Sequence, residues 1–462
     1  MPGNTSGKDT AIRPALARCV ALYEGIERDY RVEVETLGLP FASRKTDAAR
    51  AAVEQRVRDL ASRGVLVENG GKSLHRGWMS PACIQCRKGL NTLTLGLSTQ
   101  CPRNCYFCFN ANQRDHDELQ RGMQDACGEL TNYYNRGAQL EHIALTGGEP
   151  LVHKAETIEF FDYARELYPH AYMRLYTSGA YLDEEVLRRL RAVRLDEIRL
   201  SIKLDEPESS HEDMLALMVS AARYIPNVMV EMPVAPDQVQ PMRKLLVQLD
   251  AIGVKGINLL EFCYPLHNAH EFSRRGYTIK NPPYRVYYDY EYAGGLPIAG
   301  SEEACLDLLD FAIERNFRMG CHYCSLENKF TSQLYLQNAP FQEAFPLRTL
   351  SEKGYFLESA KAFGEDARVV GRLAEDTGAF ACEYNERGDF AEFPLQGLPL
   401  ICEAFPDMPI GISVGAVEVA AQECAGAASP VPTQQTPVLR ELKLEQTTPR
   451  AFCATVSGNC GE

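Results

Sequence analysis

Apolar positions fall into one strongly patterned stretch with less regular flanks. From about residue 90 to 265, short apolar runs alternate with amphipathic stripes. The runs at 92–97, 142–146, 173–176, 197–202, 228–234 and 257–262 read as six strands. Between them, Leu119, Met123, Ala126, Leu130 and Tyr133 make one helical stripe, and Ile158, Phe161, Ala164 and Leu167 make another. Asp183 stands where it can cap a helix carrying Val186, Leu187 and Leu190, with Glu184 and Glu185 favourably placed in its positive first turn. Alternating strands and helices predict parallel βα units with right-handed crossovers. The expected fold is α/β: a parallel, partial (β/α)6 TIM-like barrel over residues 81–265. Chemistry is expected where its strands end and its βα loops begin.

The flanks read differently. Residues 1–80 look like a mixed or helical N-terminal domain. A helix over 47–63 stops at Gly64, a short strand follows at 65–67, and then Gly70-Gly71, the outline of a winged helix. Such a piece serves packing or docks a peptide partner. Residues 266–424 read as an α+β extension, with helices at 302–314 and 357–363 and extended segments at 381–393 and 410–419. Tyr284, Tyr287, Tyr288, Tyr290 and Tyr292 form an aromatic stretch suited to packing. From 425 to 462 the composition turns to Ala, Gly, Pro, Thr and Gln, which predicts a flexible tail.

Composition narrows the setting. Of 462 residues, 45% are hydrophobic and 24% charged, enough apolar material for a sizeable core. The net charge of −14 does not suit a phosphate backbone, so nucleic acid is disfavoured as a partner. No apolar run approaches the roughly 18 residues of a membrane span, and the first residues lack the apolar core of a secretory signal. A cytoplasmic protein with no membrane partner is expected. There its 16 cysteines stay reduced, and clustered ones read as metal ligands.

The principal cluster is Cys101-x3-Cys105-x2-Cys108, directly after the first strand. Thiolates are soft ligands that suit iron–sulfur clusters or zinc. No fourth cysteine follows closely. The trio therefore holds either a cubane with one open iron or a zinc ion that borrows a distant ligand. Gly147-Gly148-Glu149-Pro150 closes the second strand.

The cysteine spacing and the GGEP stretch together resemble the signature of the radical S-adenosylmethionine (SAM) superfamily, over roughly residues 90–265. The resemblance implies that Cys101, Cys105 and Cys108 hold a [4Fe–4S] cluster whose open iron chelates SAM. It implies that Phe107 lies near the adenine and that Gly147 and Gly148 admit the methionine moiety. Glu149, followed by Pro150, would sit near the SAM amino group. Ser178 would contact the ribose, with Ser201 and Lys203 as further contacts to ribose or carboxylate, and residues 256–260 would form an adenine-contacting strand. It also implies reductive cleavage of SAM to a 5′-deoxyadenosyl radical, oxygen sensitivity, and an electron donor of flavodoxin or ferredoxin type.

Two further pairs, Cys83-x2-Cys86 and Cys321-x2-Cys324, have metal-ligand spacing and flank the barrel. They are expected to meet in one second metal centre, an iron–sulfur cluster, iron or zinc, with His322 as an alternative ligand. Cys263, after the sixth strand, could face the active site. Cys382, Cys402 and Cys424 are scattered singly, and Cys453 and Cys460 sit in the tail with no assigned role. The expected function is radical modification of a peptide or protein. The alternatives are modification of a small metabolite, cofactor precursor or RNA base, or a non-catalytic metal-stabilised interaction protein.

Overall fold

The computed structural model describes residues 14–113, 115–288, 295–418 and 437–457. Tyr290, Tyr292, Cys424 and Cys460 lie outside the described residues.

Helices α1 (Pro14–Glu35) and α2 (Asp47–Ser62) come first, then the hairpin of β1 (Leu66–Glu68) and β2 (Ser73–Arg76) and the short helix α3 (Pro81–Gln85). The alternating stretch follows. It comprises β3 (Thr92–Gly96), α4 (His116–Arg121), α5 (Ala126–Asn135), β4 (His142–Thr146), α6 (Lys154–Leu167), β5 (Tyr172–Thr177), α7 (Glu184–Ala192), β6 (Glu197–Leu200), α8 (Glu208–Ala221), β7 (Asn227–Val234), α9 (Val239–Ile252) and β8 (Gly256–Glu261). All six expected strands are present, and neighbours pair in parallel from β3 to β8. Asp183 caps α7, its carboxylate accepting from the Val186 amide at 2.8 Å. The stripe from Leu119 to Tyr133 is two helices rather than one, α4 and α5, separated at Gly122.

Past the sixth strand come the two-stranded ribbon of β9 (Cys263–Tyr264) and β10 (Leu296–Pro297), with α10 (Ala269–Arg274) between them, and then α11 (Ser301–Glu314). The next strand, β11 (Gly320–Cys324), pairs in parallel with β8 and antiparallel with β2. The barrel sheet therefore has nine strands, in the order β1-β2-β11-β8-β7-β6-β5-β4-β3. The sequence GCHYC hides β11, because one glycine, two cysteines and a histidine interrupt the apolar run that marks a buried strand.

The β1–β2 hairpin is thus an edge of the barrel sheet and not a wing. Leu60, Val65 and Leu74 share one apolar core with the barrel strands and helices. Helix α1 buries Ala15 and Leu16 against Phe363 and Leu444 of the second sheet. Its C-terminal Val34 joins a different cluster, near the barrel rim, with Phe262 and Phe272.

Helix α12 (Leu326–Asn338) leads into the second sheet. Its strands are β12 (Thr349–Leu350), β13 (Leu357–Phe363), β14 (Glu383–Asn385), β15 (Phe390–Phe393), β16 (Ile410–Glu418) and β17 (Val438–Thr447), and it is accompanied by α13 (Glu365–Thr377), α14 (Leu398–Ala404) and α15 (Pro449–Ser457). Residues 357–363 read as a helix from composition but form β13, buried along its whole length between β15 and β16. Leu, Glu, Ala and Lys favour helix weakly, and two flanking strands override that preference. The expected flexible tail is corrected too: within it, β17 pairs along the whole of β16, and α15 follows. Tyr284 is buried against Phe330, with ring centroids 5.7 Å apart. Among the described residues no helix is long and apolar enough to cross a membrane.

Candidate functional site

The C-terminal ends of the barrel strands carry the expected residues. The loop after β3 holds all three cysteines. Cys101 is exposed, and Cys105 and Cys108 are half-buried. The Cys108 amide donates to the Cys105 carbonyl at 3.0 Å, and the Arg103 amide donates to the Cys101 sulfur at 3.5 Å. Partial desolvation by its surroundings pushes the Cys101 thiol up, with Glu149 and Cys105 adding to it and the Arg103 amide and Lys203 opposing. Burial likewise raises Cys108. Ligation would therefore have to release protons from these thiols.

The two glycines of the GGEP turn make room for the cysteine loop itself. Gly147 has φ +124°, and a Cβ there would lie 2.5 Å from the Ser98 carbonyl oxygen. A Cβ on Gly148 would lie 2.2 Å from that of Gln100. The backbones instead bond directly, Gly148 amide to Ser98 carbonyl at 2.8 Å and Glu149 amide to Gln100 carbonyl at 2.7 Å. The space a Cβ would need is thus taken by the residues leading into Cys101.

Glu149 is fully buried and saturated with donors. One oxygen accepts from the Leu151 amide at 3.0 Å and from the Thr177 hydroxyl at 2.7 Å. The other accepts from the Ser178 amide at 2.6 Å and also from the Ser178 hydroxyl. Pro150, buried beside it, opens a single 3₁₀ turn. A buried carboxylate is tolerable only with such a donor set. The Ser178 carbonyl in turn accepts from one terminal nitrogen of Arg103 at 3.1 Å, and the other terminal nitrogen donates to both Glu206 oxygens, at 2.8 and 3.0 Å. Ser178 is therefore the joint between the loops after β3, β4 and β5.

Phe107 packs edge-to-face on Tyr106 and Phe262, with centroids 5.1 and 5.6 Å away. Tyr106, Phe107, Lys203, Met232 and Phe262 line a small cleft between the ends of β3, β6, β7 and β8. Lys203 lies 3.9 Å from Glu206, and Ser201 sits just past β6, half-buried. Sequence reasoning missed the residues that fasten the cysteine loop. These are Arg103 with Glu206, Asn110 donating to the Gly147 carbonyl at 2.8 Å, His267 at 2.9 Å from the Cys108 carbonyl oxygen, and Asn268 donating to the Tyr106 carbonyl at 3.1 Å. Of these, only Arg103 and Asn110 carried a signal, as polar residues inside or next to the cysteine motif.

The second set of cysteines divides. Cys83 and Cys86 come from α3 and the residue after it, and Cys324 ends β11. Residues three apart on a strand face opposite ways. Cys321 accordingly lies in the apolar core with Leu306 and Leu309, while His322 and Cys324 face the barrel interior with Asn258. The four cysteines do not converge on one centre, because the pleat of β11 turns Cys321 outward. Both nitrogens of His322 are engaged, with Ser73 and Asn258, each at 2.9 Å. Cys263 is half-buried, and its desolvation pushes the thiol up to about 11.

Three sulfurs on one loop, with no carboxylate or imidazole among them, form a soft donor set that fits an iron–sulfur cluster. Among the described residues, no three His, Cys, Asp or Glu side chains lie close enough together for a single metal ion. A multi-iron cluster spans more space and does not need that convergence.

Residues 96–240 match the family described as "Radical SAM superfamily". A curated protein of Methanocaldococcus jannaschii, named "Putative glycyl-radical enzyme activating enzyme", is 26% identical over 309 residues, covering 64% of this chain and 77% of that protein. PqqA peptide cyclase of Granulibacter bethesdensis is 32% identical over 110 residues, 23% of this chain and 27% of its own length. Among solved structures, Streptococcus suis SuiB bound to precursor peptide SuiA is similar over 73% of this chain and 67% of that one, at 12% identity and a TM-score of 0.38.

Proposed function

We propose that the chain is a radical SAM enzyme that cleaves SAM reductively at a [4Fe–4S] cluster held by Cys101, Cys105 and Cys108 in order to modify a peptide or protein; the match of residues 96–240 to the radical SAM superfamily and the enzyme-named relative support it. The observation that carries this reading is the convergence of the cysteine loop, the GGEP turn and the loop after β5 on Ser178. The same match counts against the non-catalytic alternative.

Cys101, Cys105 and Cys108 would hold the cluster, which with SAM bound would supply a one-electron reductive cleavage of the sulfonium. The residues of this chain position and shield. Gly147 and Gly148 let the cysteine loop lie on the GGEP backbone, which fixes where Cys101 starts. Glu149 orients Thr177 and Ser178, and Arg103 ties the middle of the cysteine loop to the same point. Tyr106, Phe107 and Phe262 form an apolar wall suited to an adenine face and to keeping water from a reactive carbon. Lys203, beside that wall, supplies a cation for a carboxylate. Ser201 is proposed as a further polar contact. The electron donor is proposed to be of flavodoxin or ferredoxin type.

The substrate class rests on the names of the curated relatives. One is named a peptide cyclase and the other a putative activating enzyme for a glycyl-radical enzyme. Anaerobically reconstituted protein, given SAM and dithionite, is expected to yield 5′-deoxyadenosine, and Cys105→Ala is expected to abolish it. An unchanged yield from that variant would refute the cluster assignment.

A further inference from the structure

The barrel interior holds three cysteines that the rim chemistry does not use. Cys83 and Cys86 sit on the segment linking β2, next to one edge of the sheet, to β3 at the other edge. Cys324 ends β11, where it pairs with Leu260 of β8 and Ser73 of β2. One polar chain ties the two places together. The Cys83 sulfur accepts from Asn258 at 3.4 Å and from Arg199 at 3.3 Å. Asn258 is the strand partner of His322 and meets its ring at 2.9 Å. Cys324 stands two residues beyond His322 on the same face of β11. Its sulfur accepts from Asn328 at 3.3 Å. Cys83, Cys86 and Cys324 act on one another electrostatically, and Arg174, Arg199 and Lys329 supply positive charge to the group.

We propose that Cys83, Cys86 and Cys324, without Cys321, hold an iron–sulfur cluster inside the barrel, separate from the one on the rim. Three features select this class. The donors are all sulfur, which soft metals prefer. Two of the three sulfurs already receive N–H donors, the outer-shell arrangement that stabilises a ligating thiolate. Arg174 and Lys329, together with Arg199, which is shared with Glu197 and Glu231, offset part of the negative charge that three thiolates bring into a partly buried site. A single zinc ion fits less well, since no three candidate ligands among the described residues lie at single-ion spacing. Such a cluster would cross-link α3 to β11 and so close the barrel between its first and last strands. It would couple metal binding to folding there.

The test separates this centre from the rim cluster. Full-length chain carrying Cys101→Ala, Cys105→Ala and Cys108→Ala, reconstituted without oxygen, is expected to keep about four irons and a matching amount of sulfide per chain. It should also show a reducible cluster signal by electron paramagnetic resonance. Adding either Cys83→Ser or Cys324→Ser should remove both iron and signal, while adding Cys321→Ser should leave both in place. Circular dichroism melts of each variant before reconstitution identify any that has not folded, and the iron count of the triple variant decides alone if both serine variants fail. An iron-free triple variant overturns the proposal. So does iron that survives loss of Cys83 and Cys324, iron lost equally with Cys321→Ser, or stoichiometric zinc in place of iron.

Discussion

Around the barrel rim, a buried carboxylate is held mostly by donors from loops. In the second sheet, buried charges hold strands to strands. Glu149 takes hydrogen bonds from Leu151 and Ser178, which lie on loops, and from Thr177, the last residue of β5. Glu441 of β17 instead meets Lys361 of β13, Ser413 of β16 and Tyr23 of α1, and Arg348 pairs with Glu392 of β15 at 2.7 Å. The second sheet also owns an apolar core, with Ala360, Val370, Phe393, Ile401 and Ile410 fully buried. The difference teaches where geometry is vulnerable. Loops placed by a few polar contacts can move when one contact goes, whereas a packed sheet loses stability and keeps its shape.

If that contrast holds, Phe393→Ala should cost about 3–5 kcal/mol of stability through the cavity it leaves, measured by chemical denaturation. The 5′-deoxyadenosine yield per folded molecule should not change. A fall in that yield would mean that the second sheet shapes the rim. Glu149→Ala should cost about 3 kcal/mol, because Thr177 and the Ser178 amide lose a charged acceptor in a buried place. Unlike Phe393→Ala, it should also weaken SAM binding, as read by equilibrium dialysis. Gly148→Ala should cost about 1–3 kcal/mol by forcing the GGEP turn off the Gln100 carbonyl. Its iron content after reconstitution should fall in step, and normal iron content would show that the cysteine loop does not depend on that contact.

The smallest effect concerns pH. Burial works to raise the Glu441 carboxyl, but Lys361, Ser413 and Tyr23 outweigh it and hold the group below its ordinary value. A depressed carboxylate contributes stability above the ordinary glutamate range and loses it as pH falls through that range, because the unfolded chain then binds the proton first. Glu441→Gln should therefore cost about 1 kcal/mol at neutral pH. It should also flatten the fall in melting temperature on acidification. An equally steep fall in the variant would remove Glu441 as the cause.

Much of the barrel was legible because its signals are local. Six apolar runs, the Asp183 cap and the three-cysteine loop each lie within a few residues of chain, so one reading window captures them. The strands that escaped owe their state to partners far away in sequence. Residues 357–363 have the composition of a helix and become a strand only because β15 and β16 flank them. Likewise β17 follows a stretch of low complexity and is ordered by β16.

By itself the sequence determined the type of ligand, its spacing on the cysteine loop, and the strand-end position of the GGEP turn. These depend on residue identity and on distances of a few residues along the chain. Only the tertiary structure decided that Ser178 joins three loops, that Arg103 anchors the cysteine loop through Glu206, and that Cys321 turns away from Cys83, Cys86 and Cys324. The last follows from strand pleating. Motif spacing counts residues, while a β-strand sends alternate side chains to opposite faces, so a C-x2-C pair that would share a metal on a loop is split between two environments on β11.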